Sequence, residues 1–312
     1  MILLKDKVVV ILGPTATGKS YCAIKLAQRF RGEIISGDSM LVYRQMNIGT
    51  AKPSEEELET VPHHLVNILP PDASYSVADF QKQASTLIRQ ITERGNLPVL
   101  AGGTGLYIKA LLEDYQFSRV EENPELRRQL ELFAKEKGQD ALFNWLQKED
   151  PAAAARLHPN DIRRVVRALE TALSGDTVSQ QRQDVLKYDA AVFGLTMDRD
   201  FLYERINRRV DKMLQDGLEE EVRGLLQAGI SADCLSMKSL GYRQMAEYLM
   251  GRCDYATAVE NIKKGTRHFA KRQLTWYKKM PYVQWFPVDR TLNYEKIVTD
   301  MADTLEKKCK RL

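Results

Sequence analysis

The chain has 312 residues, 44% of them hydrophobic and 28% charged, and carries a net charge of +4 at pH 7. These values suit a globular protein of one large or two unequal domains. Apolar runs reach only strand length, so no membrane span or membrane partner is expected. Lys5, Asp6 and Lys7 stand ahead of only five apolar residues, too few for a signal peptide, and Cys22, Cys234, Cys253 and Cys309 form no CxxC pair. A cytoplasmic chain with reduced thiols and no zinc is the expectation.

In chain order, Val8–Leu12 is a β-branched run that reads as a buried parallel strand. It leads into Gly13-Pro14-Thr15-Ala16-Thr17-Gly18-Lys19-Ser20, which fits the phosphate-loop template, and Ala23, Leu26, Ala27 and Phe30 then recur at helical spacing. Glycines at these places let backbone N–H groups close around phosphate oxygens, and the following helix adds a partial positive charge. Lys19 is placed to neutralise terminal phosphate oxygens and the Ser20 hydroxyl to ligate Mg²⁺. The loop alone leaves open whether its ligand is a nucleoside triphosphate or another diphosphate.

Glu33–Ser39 is a second short strand ending in an acid. Asp38 is expected to face the phosphate loop, because ligands sit beyond the carboxyl ends of strands in a doubly wound sheet. Three roles compete for it: indirect Mg²⁺ binding, general base, or a cap for the next turn. Residues 43–80 are polar and turn-rich, and His63-His64 lacks further ligands for a metal site, so loop hydrogen bonding is expected there. Ser76 and Asp79 read as a capping box for a helix bearing Ala84, Leu87, Ile88 and Ile91. Leu97–Ala101 is another buried strand, and it opens into Gly102-Gly103-Thr104-Gly105, a second glycine-rich turn expected on the rim of the same site.

From 114 to 188 strand-like runs give way to helical patterns, with Arg163, Arg164 and Arg167 at helical spacing. This predicts an all-helical insertion, 114–188, carried on an α/β core of 1–113 and 189–312. Ala191–Leu195 reads as a strand returning to the core, followed by a helix with Arg205, Arg208 and Arg209. Ser236–Met245 reads as a polar corner between helices. Residues 260–290 hold eight Lys/Arg against Glu260 and Asp289, whereas 113–190 hold twelve Lys/Arg against fifteen Asp/Glu. Within the basic stretch Phe269, Gln273, Trp276 and Met280 share one helical face, and basic residues interleaved with aromatics suit RNA binding. Two enzyme classes remain from the residues alone: a P-loop small-molecule kinase, and an RNA-acting enzyme whose loop holds a diphosphate.

The ordered set Gly13–Ser20, Asp38-Ser39, Tyr43, Gly49–Pro53, His63–Leu65, Tyr75–Phe80, Gly102–Tyr107, Arg167–Glu170, Gly241–Gln244 and Ala270–Trp276 resembles the bacterial-type tRNA dimethylallyltransferases. The resemblance runs over about residues 8–288. It implies a P-loop NTPase-like core with a parallel sheet, Mg²⁺ as cofactor, and transfer of a prenyl group from dimethylallyl diphosphate to the adenosine 3′ of the tRNA anticodon. It also implies that the helical insertion grips the anticodon stem-loop; a monomer is expected. By resemblance Asp38 is the general base, Lys19 and Arg209 contact the diphosphate, and Thr104 lies near the acceptor. The tRNA contacts it implies are Asp38, Ser39, Met40, Leu41, Thr104, Arg127, Asp161, Ile162, Arg163, Arg164, Val165, Leu240, Gly241, Tyr242, Arg243 and Gln244. Leu41 departs from the Gln of many members, Gln45 and Asn47 from a common Gly and Asp, and Ser20 replaces Thr while keeping its hydroxyl.

Overall fold

A computed structural model of the chain describes residues 5–117, 122–175 and 186–309. Those residues belong to two compact units, one running up to Glu113 and resuming at Val185, the other spanning Asp114–Asp184. The first unit begins with β1 (Lys7–Leu12), α1 (Lys19–Arg29), β2 (Gly32–Ser36), α2 (Glu55–Thr60), β3 (His63–His64), α3 (Val77–Glu93), β4 (Leu97–Ala101) and α4 (Gly105–Leu112). The second unit holds α5 (Pro124–Lys137), α6 (Gln139–Glu149), α7 (Pro151–Ala154) and α8 (Ile162–Leu173). The first unit resumes with β5 (Asp189–Met197), α9 (Arg199–Gln215), α10 (Leu218–Gln227), α11 (Tyr242–Leu249), α12 (Tyr255–Tyr277), β6 (Val283–Val288) and α13 (Tyr294–Cys309).

The sheet of the first unit is parallel throughout, in the order β3-β2-β4-β1-β5-β6. It is a P-loop NTPase-like core. Side chains alternate across a strand, and here both faces are covered. Val8, Val10 and Leu12 enter a core built with α3, α4, α10 and α11, while Val9 and Ile11 enter one built with α1, α9 and α13. That double cover is why β1 reads as an unbroken apolar run. Burial of such a side chain stabilises by about 1.5–3 kcal/mol. Helix α3 starts at the expected capping box, with Ser76 Oγ accepting from the Asp79 amide and Asp79 accepting from the Ser76 amide.

Strand order also places the site. The chain passes from β1 to β2 beyond the slot later filled by β4, then continues on the other side of β1 with β5. The loops that follow the neighbouring strands β1 and β4 therefore lie side by side at the switch point, where ligands bind in such sheets. Close backbone approach reinforces this. A Cβ on Gly102 would stand 2.3 Å from the Gly37 carbonyl carbon, so the ends of β2 and β4 meet main chain to main chain. Gly37 N donates to Ala101 O at 2.8 Å and Thr104 N to Gly37 O at 3.2 Å.

His63 and His64 form a two-residue strand on β2 and not only a loop. The reason is a buried acid: Glu33, 5% exposed, accepts from Arg94 Nη2 at 2.7 Å and Asn96 Nδ2 at 2.8 Å and pairs with His64 Nε2 at 2.6 Å. Desolvation alone would raise the Glu33 pKa, but its bonds to Arg94, Asn96 and His64 bring it down to about 2.

The second unit has its own core of Leu130, Ala134, Leu142, Leu146, Ala153, Ala154, Val165, Val166, Ala168 and Leu169. Glu170, wholly buried there, accepts from the Asn123 amide, from Arg127 at 2.9 Å and from Arg167. Burial alone would raise the Glu170 pKa, but these bonds carry it below the usual carboxylate range.

Candidate active site

The site of the first unit is built from loops at the carboxyl ends of β1, β2 and β4. Gly13 stands at φ 152°, where a Cβ would lie 2.8 Å from the Leu195 carbonyl oxygen, and Gly18 at φ 91°, where a Cβ would strike the Tyr294 ring. Neither place tolerates a side chain, so glycine is needed at both. Thr17 Oγ1 donates to Pro14 O at 2.7 Å and Lys19 Nζ to the same oxygen at 2.8 Å, bracing the loop across its mouth. Lys19 opens α1, and the Ser20 hydroxyl is exposed one residue on.

Asp38 lies two residues beyond β2. Its Oδ1 accepts from the Met40 amide at 2.9 Å, and its Oδ2 stands 3.3 Å from where a Cβ on Gly103 would be. The turn cap and the site-facing carboxylate are thus two oxygens of one side chain. Thr104, the N-cap residue of α4, does not cap its own helix, because its Oγ1 accepts from Ser39 N at 3.0 Å and donates to Ser39 Oγ at 3.3 Å. That pair joins the Asp38-Ser39 turn to the Gly102–Gly105 turn.

Charge concentrates here. Desolvation lowers the Lys19 ammonium to about 7; Arg209 adds to the depression and Asp38 opposes it. Desolvation also pushes the Arg209 guanidinium below its ordinary value, with Asp38 opposing and Arg205 adding. Lys19, Arg209 and Asp38 are therefore within electrostatic reach of one another, with two cations facing one carboxylate. Arg209 also lines a cleft of about 560 Å³ with Lys52, Asn67, Lys212 and Asp216. Among the described residues no cluster of three His, Cys, Asp or Glu could hold a metal. The hard oxygen at Ser20 suits Mg²⁺, which keeps most of its shell as water and phosphate oxygens.

Several residues make contacts within the site that the sequence did not indicate. Arg205 Nε donates to Ala16 O at 2.8 Å, at a residue held at φ 66°. Glu221 takes the Asn47, Ile48 and Gly49 amides and the Tyr242 hydroxyl on one carboxylate, joining the Gly49–Pro53 and Gly241–Gln244 motifs. Gln273 and Tyr277 reach Gly103 from α12.

The expected RNA contacts divide by exposure. Arg163, Arg164 and Arg243 are exposed, and Arg164 pairs with Asp161 at 3.2 Å. Met40, Leu41, Ile162 and Leu240 are half-buried. Val165 is wholly buried in the core of the second unit, and Tyr242 and Gln244 are buried in the first at 0% and 4%, so these side chains point away from solvent. Gln244 Oε1 instead accepts from the Gly241 amide at 3.0 Å. Arg127 is engaged by Glu170 and, at 3.1 Å, by Glu122. On α12, Lys264, His268, Lys271, Arg272 and Trp276 are exposed, whereas Gln273 is buried, as is Met280 beyond the end of the helix, so the predicted shared face is split between core and surface.

Known proteins resemble this chain closely. A family model described as IPP transferase matches residues 41–280. A tRNA dimethylallyltransferase of Alkaliphilus metalliredigens is 47% identical over 91% of this chain and 92% of its own length. One of Bacillus subtilis is 47% identical over 97% and 98%. The full-length tRNA isopentenylpyrophosphate transferase of Bacillus halodurans superposes with a TM-score of 0.75 at 44% identity, covering 98% of each chain. A eukaryotic dimethylallyltransferase captured acting on tRNA gives a TM-score of 0.81 at 28% identity, covering 97% of this chain and 80% of that one.

Proposed function

The chain belongs to the IPP transferase family and is a prenyltransferase acting on tRNA, and we propose that Asp38, Lys19, Arg209 and Thr104 carry its reaction. The reaction moves a dimethylallyl group from dimethylallyl diphosphate to the exocyclic amine of the adenosine 3′ of the anticodon and releases pyrophosphate. The observation that supports this assignment is the convergence of Lys19, Arg209 from α9, the glycine-rich amide loop after β1 and the Asp38 carboxylate after β2, on either side of β4.

The chemistry follows from that charge pattern. The allylic C–O bond breaks with its electron pair leaving on the diphosphate, and the cost of that charge falls when donors are already aimed at it. Lys19, Arg209 and the backbone N–H groups of Ala16–Ser20 are those donors, since Pro14 has none and Thr15 donates to Gln273. The Ser20 hydroxyl would hold Mg²⁺, which when bound would supply further neutralisation of the leaving group. The adenine amine is a weak nucleophile until it loses a proton, and Asp38 Oδ2 is the acceptor of that proton as the new N–C bond forms. Thr104, bonded to Ser39, holds the turn against which the acceptor nucleotide sits. An adenine stacked in RNA cannot reach the loop, so it must be extruded first.

For tRNA itself, the exposed Arg163 and Arg164 of the second unit and the exposed Lys271, Arg272 and Arg243 of the first are the phosphate contacts we favour. Among the described residues no helix is long and apolar enough to cross a membrane; separately, we propose a cytoplasmic monomer, the compartment following from relatives named for acting on tRNA. The phosphate loop is shared with kinases, but no kinase appears among the relatives above. The test is nucleoside analysis of tRNA treated with the protein, dimethylallyl diphosphate and Mg²⁺. Dimethylallyl-adenosine at the position 3′ of the anticodon is expected; unmodified adenosine there rejects the proposal.

A further inference from the structure

We propose that Gln273 is a positioning residue that sets the separation between the leaving group and the acceptor amine; this rests on the prenyl-transfer reading above. Gln273 lies on α12 and is 5% exposed. Its Oε1 accepts from the Thr15 amide in the phosphate loop at 3.0 Å, and its Nε2 donates to the Gly103 carbonyl at 2.8 Å. One buried carboxamide therefore joins the loop that follows β1 to the turn that follows β4. Its orientation is dictated by chemistry, since turning the amide over would set acceptor against acceptor at Gly103 and donor against donor at Thr15.

Gly103 is shaped for this contact. A Cβ there would lie 2.7 Å from Gln273 Nε2 and 3.3 Å from Asp38 Oδ2, so the amide and the catalytic carboxylate approach the same α-carbon. The carbonyl of Gly103 also accepts from Tyr277 Oη at 2.8 Å, and burial with the nearby Asp38 charge keeps that phenol protonated as a donor. Thr104 follows directly and ties to Ser39. Diphosphate held by the phosphate loop and an amine held between Asp38 and Thr104 are thus spaced by whatever holds Thr15 to Gly103. Among the described residues Gln273 is the side chain that hydrogen-bonds to both.

Displacement of one reacting group by about 1 Å costs on the order of 100-fold in rate. The test compares wild type with Gln273→Met, which keeps the volume, and Gln273→Glu, which keeps an acceptor for Thr15 but as a carboxylate cannot donate to Gly103. Readouts are kcat, KM for the diphosphate and for tRNA, and Tm. The expected result is a fall in kcat of about 10- to 100-fold, with KM for tRNA changed by less than about threefold and Tm by only a few degrees. Unchanged kcat in both variants overturns the role. So does a raised KM for tRNA at full kcat, which makes Gln273 an RNA contact, or a loss that follows the unfolded fraction, which makes it part of the core. A wild type that transfers nothing overturns the prenyl-transfer reading along with this one, whereas an active wild type with equally active variants overturns the positioning role alone.

Discussion

At Lys19 the protein gives up a charge that it then needs. Its ammonium, desolvated and beside Arg209, is lowered to about 7, so its charge is full below that pH and is lost as pH rises through it. On the proposed reading, an arriving diphosphate restores the proton. We expect KM for dimethylallyl diphosphate to rise between pH 7 and 9, by at most about tenfold per pH unit. Titration calorimetry in buffers of different protonation enthalpy is expected to show proton uptake on binding; flat affinity with no proton exchange would contradict it. Asp38→Asn keeps the acceptor for the Met40 amide but removes the base. The variant is expected to lose about 10²-fold or more in kcat while tRNA affinity in filter binding is retained. Equal losses in both would remove the base assignment.

Elements depend on contacts that side-chain patterns do not encode. Gly102 lets the end of β4 lie against the backbone of Gly37, and a Cβ there would come within 2.3 Å of it. Gly102→Ala is expected to cost about 1–3 kcal/mol in denaturant unfolding and to lower kcat, because the Asp38 and Thr104 turns are forced apart. Full stability together with full activity is the contrary result. In the second unit, Arg127→Ala leaves the wholly buried Glu170 short of a partner and is expected to cost about 3 kcal/mol. A variant that lost tRNA affinity at undiminished stability would instead make Arg127 an RNA contact.

The same elements mark what the sequence discloses. Phosphate loop, β1, β2, β4, the α3 capping box and the helical character of α5 to α8 were legible because each is a local pattern of turn residues and hydrophobic period. β3 was not, being two residues recruited by pairing to β2. Nor was β6, whose Pro287 discourages a strand reading and is tolerated at the sheet edge. Glu221 stands in a run of acids at the start of α10, and only the fold shows which one meets the Gly49 loop. Gln273 lies 258 residues from the amide it holds, a distance no spacing rule spans.

For the whole molecule, we propose that a switch point gathering two cations, an amide loop and one carboxylate binds a diphosphate and accepts a proton. It requires no phosphoryl acceptor. The measurement that bears most directly on this is transfer of label from radiolabelled dimethylallyl diphosphate to unmodified tRNA with Mg²⁺ present and ATP omitted. Label in the RNA, lost in Asp38→Asn, is the result expected. Unlabelled RNA, together with hydrolysis or transfer of an ATP γ-phosphate by the same preparation, would mean that the loop serves a nucleotide and that the account is wrong at its centre.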